Sequence, residues 1–121
     1  MQGDPRGPVA GTRPRWPFGR VAVAGESMLP GLSPGDWLLV RWYRGTVRRA
    51  RPGDVVVVAR PDRPGLLVVK RVVAARPDGS VWVAGDNPLA SDDSRTFGPV
   101  PAGAVAGRVV LRYHRAARNA R

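Results

Sequence analysis

The chain has 121 residues, no cysteine, and 20 basic against 9 acidic side chains, a net charge of +11. This length suits one compact domain with a modest core, and 43% hydrophobic content is enough to form one. Without cysteine there is no thiol nucleophile, disulfide framework or zinc–thiolate site, and with His114 as the sole histidine a multi-histidine metal site is excluded too.

Residues 1–20 hold four Arg and one Asp among Pro and Gly, with no apolar core of a secretory signal, and are expected as a basic tail. Short apolar runs follow at 21–24, 37–42, 55–59, 66–75, 81–84 and 106–112. Most follow turn signals: Pro34-Gly35-Asp36 and Pro52-Gly53-Asp54 open two of them, 18 residues apart, as the same turn chemistry used twice. The Pro- and Gly-rich stretch 60–65 predicts a hairpin over 54–75. Valine dominates these runs, as a pleated, half-buried surface favours. No segment before 112 shows sustained helical periodicity, so the expectation is an all-β domain over 21–112, a small coiled barrel or sandwich. Residues 113–121 are expected as an Arg-rich C-terminal tail.

The longest unbroken apolar run, 55–59, is far short of the roughly 20 residues of a spanning helix. No transmembrane anchor is expected, and the cytoplasm is the expected location. Of the surplus charge, residues 1–20 carry +3 and 108–121 carry +5, leaving +3 between them. A cluster at 41–51 interleaves Trp42 and Tyr43 with arginines. It suits a nucleic-acid platform or a solvated hairpin with two half-buried rings.

Three segments have the residue types that chemistry needs. Ser27 follows the first apolar run at Gly25 and precedes Pro30, which disfavours a helix through Leu29. Such a corner presents a nucleophile, or simply bends the chain. Lys70 is the sole lysine against 19 arginines. The two-residue period of a strand sets it on one face with Leu66, Val68, Val72 and Ala74. Desolvation there lowers a lysine pKa, and a neutral amine can take a serine proton, which arginine cannot do. The alternative is a lysine snorkelling from a strand edge. The polar stretch 85–95 holds hydroxyls and carboxylates able to orient that amine, in a loop too long for a tight turn.

In order along the chain, Ser27-Met28-x-Pro30, Pro52-Gly53-Asp54, Lys70-Arg71-Val72, and Gly85-Asp86-Asn87 with Ser91-x-Asp93-Ser94-Arg95 resemble the S26 serine peptidases, the type I signal peptidase family. The resemblance covers residues 21–110 and implies a coiled β-barrel of the signal peptidase and LexA-like type. It implies Ser27 as nucleophile, its backbone N–H as an oxyanion donor, Lys70 as general base, and Ser91 orienting the lysine amine. Asp93, Arg95, Asp86 and Asn87 would support the site, with no metal and no cofactor.

Departures narrow the resemblance. Only 14 residues separate Lys70 from Gly85, leaving no room for the second β-domain of many signal peptidases. Gly25 stands where several of them carry a serine donating to the oxyanion, so the second donor is not assigned. The short form, with Asp86-Asn87-Pro88-x-Ala90-Ser91-Asp92-Asp93-Ser94-Arg95, looks like the nickel-type superoxide dismutase maturation proteases. That implies removal of an N-terminal propeptide from such a precursor. Self-cleavage in the LexA manner, with Ala10-Gly11 as a candidate site, and a basic β-barrel binding nucleic acid are the alternatives.

Overall fold

A computed structural model of the chain describes residues 2–3, 17–25, 27–28, 31–43, 50–90 and 92–114. Among the described residues, seven strands form one antiparallel sheet: β1 (Gln2–Gly3), β2 (Phe18–Ala22), β3 (Trp37–Trp42), β4 (Val55–Arg60), β5 (Arg63–Ala75), β6 (Val81–Ala84) and β7 (Val105–His114). Their spatial order is β1-β2-β3-β7-β4-β5-β6. The all-β expectation holds: among the described residues the helical content is one four-residue α-helix, α1 (Ser94–Phe97), and two three-residue 3-10 turns at Pro88–Ala90 and Ala102–Ala104.

The expected hairpin is β4–β5, pairing Val55 with Arg71 and Val58 with Val68. Its turn is tighter than the Pro/Gly content suggests: Arg60 pairs with Arg63, so Pro61 and Asp62 alone make the bend. The two Pro-Gly-Asp segments are one turn built twice. Gly35 and Gly53 both hold positive φ, at 89° and 94°, which a residue with a Cβ adopts only under strain. In each, the Asp carboxylate accepts from the backbone three residues back, Ser33 N to Asp36 and Arg51 N to Asp54, both at 2.9 Å.

The sheet packs a core on each face. Val56, Val58, Val72, Val81, Val83 and Val100 lie in one, and Val21, Met28, Leu38, Val40, Trp42, Val57 and Val69 in the other. That is why 55–59 is continuously apolar: β4 is buried on both sides. It is also why the expected barrel does not close. A barrel has one interior, whereas this sheet covers two cores, and among the described residues no pairing joins β1 to β6. Strands β3 and β7 approach so closely that a Cβ on Gly107, paired with Trp42, would sit 2.6 Å from the Arg41 carbonyl oxygen.

The sheet reaches into the stretch expected as an N-terminal tail, through Gln2–Gly3 and Phe18 onward, and β7 runs to His114. The candidate self-cleavage site Ala10-Gly11 and residues 115–121 lie outside the described residues. Trp42 and Tyr43 are buried, one in each core, and so are not a stacking platform.

Candidate active site

Ser27 sits in a turn after β2, half-buried, and its neighbour Met28 is the anchor of that turn. Met28 is fully buried beside Val21 and Val57, and its carbonyl accepts from Leu32 N at 2.9 Å. The other side of the turn is held by the loop after β6: Asn87 N donates to the Ser27 carbonyl at 2.7 Å, and Asp86 N to the Met28 sulfur at 3.4 Å. The serine therefore stands on a corner stapled to another part of the chain. Glu26, Leu29 and Pro30 lie outside the described residues.

That loop is tied in turn to β5. The Arg71 guanidinium forks onto Asp86 and donates from Nη1 to the Gly53 carbonyl at 2.9 Å. One side chain thus joins three segments that the sequence singled out separately: the second Pro-Gly-Asp turn, the lysine strand and Gly85-Asp86-Asn87.

Lys70 precedes Arg71 and faces the other side of the sheet. It lies between Val68 and Val72, opposite Val56 across the β4–β5 ladder, and is 4% exposed. Burial pushes its ammonium pKa down from the ordinary 10.5; the carboxylates of Asp93 and Asp92 act against this and the Arg60 guanidinium acts with it. Val68 and Val72 flank the lysine on that face as strand alternation predicts, whereas a register shift between Val72 and Ala74 leaves Ala74 exposed and outside the core.

Asp93 is buried at the start of α1 and caps it, accepting from Arg95 N at 3.1 Å and from Arg95 Nε at 2.9 Å, with Gly85 N at 3.4 Å. Burial works against its charge, but the Arg95 guanidinium and the Arg95 and Gly85 N–H groups outweigh it and hold the carboxyl below its usual range. Asp93 thus fastens α1 to the loop that grips Ser27. Ser91 lies outside the described residues. No group of three or more His, Asp or Glu side chains among the described residues could hold a metal ion.

Three contributors were not assigned roles by sequence. Ser94 is buried and its Oγ accepts from Val83 N at 2.8 Å, fixing α1 to β6. Arg112 on β7 reaches the fully buried Asp36 at 3.2 Å and the Gly31 carbonyl at 2.8 Å, bracing the segment that follows the serine turn. Arg60 shares the sheet face of Lys70. Of these, only Arg60 carried a readable signal, the even-numbered alternation Val56, Val58, Arg60.

A buried lysine of lowered pKa stands on β5, and the serine corner is held by a loop that the same strand grips through Arg71. The family model described as signal peptidase, peptidase S26, matches residues 15–78 and 75–114. The mitochondrial ATP-independent inner membrane protease subunit 1a of Arabidopsis thaliana is 34% identical over 120 residues, covering 81% of this chain and 71% of its own. The mitochondrial inner membrane protease subunit 1 of Schizosaccharomyces pombe is 36% identical over 109 residues, covering 74% and 69%. The Homo sapiens protein of that name is 31% identical, covering 78% and 68%. The chain belongs to the S26 signal peptidase family. These relatives are named as inner membrane proteases, and none of the three names mentions nickel superoxide dismutase. Among the described residues no helix is long and apolar enough to cross a membrane.

Proposed function

We propose that this protein is a serine endopeptidase in which Ser27 is the nucleophile and Lys70 the general base. The observation that carries the reading is the burial of the sole lysine on an apolar sheet face, which favours the neutral amine that a base must be. Neutral Lys70 takes the Ser27 Oγ proton as the oxygen attacks the scissile carbonyl. The Ser27 N–H donates to the oxyanion, and Ser91 orients the lysine amine. Lys70 then gives the proton to the leaving amine, and water activated by the same amine hydrolyses the acyl-enzyme.

The substrate's extended segment pairs with a strand edge, gaining main-chain hydrogen bonds. We take the substrate to be a protein with a short N-terminal propeptide, a nickel-type superoxide dismutase precursor, processed in the cytoplasm; the loop 86–95 supports this narrower choice. Purified protein should remove the leader from such a precursor, read by intact mass. Ser27→Ala and Lys70→Met should each abolish cleavage, and Lys70→Arg should fail as well, because arginine keeps its proton. Near-normal cleavage by folded Ser27→Ala or Lys70→Met would sink the dyad. An uncut precursor, with an unrelated leader peptide cut normally, would sink the substrate and leave the dyad standing.

A further inference from the structure

Arg60 is 9% exposed, on a strand whose other buried residues are all valine. Alternation along β4 puts Val56, Val58 and Arg60 on one face, and Val56 is the cross-strand partner of Lys70. Two cations therefore share one buried sheet face. A guanidinium is tolerated there only if its donors are paired. Arg60 forks onto Asp62, Nε to Oδ1 at 2.9 Å and Nη2 to Oδ2 at 2.7 Å, and its Cζ lies 5.2 Å from the centre of the Phe97 ring. Both contacts fix the head group, and neither explains its remaining nitrogen. Nη1 reaches Asp92 at 3.3 Å, 32 residues away in sequence.

Asp92 stands between Ser91 and the capping Asp93, in the segment that the mechanism uses to orient the lysine. Among the described residues, Asp93, Asp92 and Arg60 are charged groups that act on Lys70, with burial the larger influence. Each of those carboxylates is already shared with an arginine, Asp93 with Arg95 and Asp92 with Arg60. An arginine on a carboxylate weakens its hold on a nearby ammonium.

We propose that Arg60 is a positioning residue for the lysine: by pairing with Asp92 it holds that carboxylate and offsets its pull on the Lys70 ammonium. The role in catalysis rests on Lys70 being the general base; the electrostatic role does not. Removing Arg60 takes away a like charge and leaves Asp92 unneutralised, so both effects favour protonated Lys70. Removing the Asp92 charge does the reverse, and Asp62 still holds Arg60.

The sole lysine makes this directly measurable. Protein prepared with lysine isotopically labelled at Cε gives one such resonance, whose pH titration reports Lys70 without reference to activity. Arg60→Gln should move that titration up by about half a pH unit or more, and Asp92→Asn should move it down. The acid limb of the peptidase pH profile should follow in each case. A purely structural role would lower kcat in both variants without opposite displacements. If Arg60→Gln does not fold, Asp92→Asn decides: an unmoved or upward titration overturns the proposal. Lys70→Met separates the two readings. Full activity in that variant removes the general base, while the resonance still tests Arg60; loss of activity with unmoved titrations in the other variants leaves the base and removes Arg60.

Discussion

Arg71 and Asp86 meet as a two-point fork, Nε to Oδ1 and Nη2 to Oδ2, both at 2.9 Å, across 15 residues of chain. Because Asn87 then donates to the Ser27 carbonyl, this pair transmits the position of the lysine strand to the serine turn. Arg71 is 42% and Asp86 25% exposed, so solvent screens the pair and its loss should destabilise the fold by about 1 kcal/mol or less. The loss in kcat should be larger than that, about tenfold or more, because the serine corner loses its support. Thermal melts of Asp86→Asn beside its kinetics would show whether the two effects separate; equal small effects would remove the coupling.

The two Pro-Gly-Asp turns should respond unequally to the same substitution. Asp36 is fully buried and accepts from Ser33 N and Arg112, so Asp36→Ala leaves a largely buried guanidinium without its carboxylate, a change of about 3 kcal/mol. Asp54 is only half-buried and accepts from Arg51 N, and Asp54→Ala should change stability by about 1 kcal/mol. Denaturant unfolding of both variants measures the difference. Equal losses would mean that burial does not separate the two turns.

Activity should rise with pH along an acid limb set by Lys70, at a pH below the ordinary 10.5 of a lysine. Stability follows the same group. Since the folded pKa lies below the unfolded one, the unfolded chain binds more protons between the two values, and stability rises with pH across that window. Lys70→Met removes this dependence. Relative to Lys70→Met, the native protein should therefore gain stability as pH rises from the depressed pKa toward 10.5. A pH-independent difference between the two proteins would contradict a lowered lysine pKa.

Gly25 offers a test by addition. Among the described residues, a Cβ built there meets nothing within 4 Å, so Gly25→Ser should fold normally. If its hydroxyl donates to the oxyanion as the position suggests, kcat should rise several-fold with little change in KM. An unchanged kcat in a folded Gly25→Ser protein would show that this hydroxyl does not reach the developing charge.

Much of this was legible in the chain because the rules that govern it are local. Strand alternation set Lys70 between Val68 and Val72, and Pro-Gly followed by Asp specified both turns within four residues. The apolar run at 55–59 was recognisable as a strand, but not as one buried on both faces. Covering both faces depends on segments far away in sequence, and with it went the expected closed barrel.

The ionic contacts belong to the tertiary structure. The chain has 19 arginines of identical chemistry, and nothing local distinguishes Arg71 from Arg63 or Arg76 as the partner of Asp86. The pairs that hold the site span 15 residues for Arg71 and Asp86, 32 for Arg60 and Asp92, and 76 for Asp36 and Arg112. Each is selected by strand register, which sets which side chains share a face and how far apart they stand. The sequence by itself determined the strands, the turns and the one basic residue able to lose its proton. Only the packed sheet decided which arginine meets which carboxylate, because that choice depends on distance in space between groups that are chemically interchangeable along the chain.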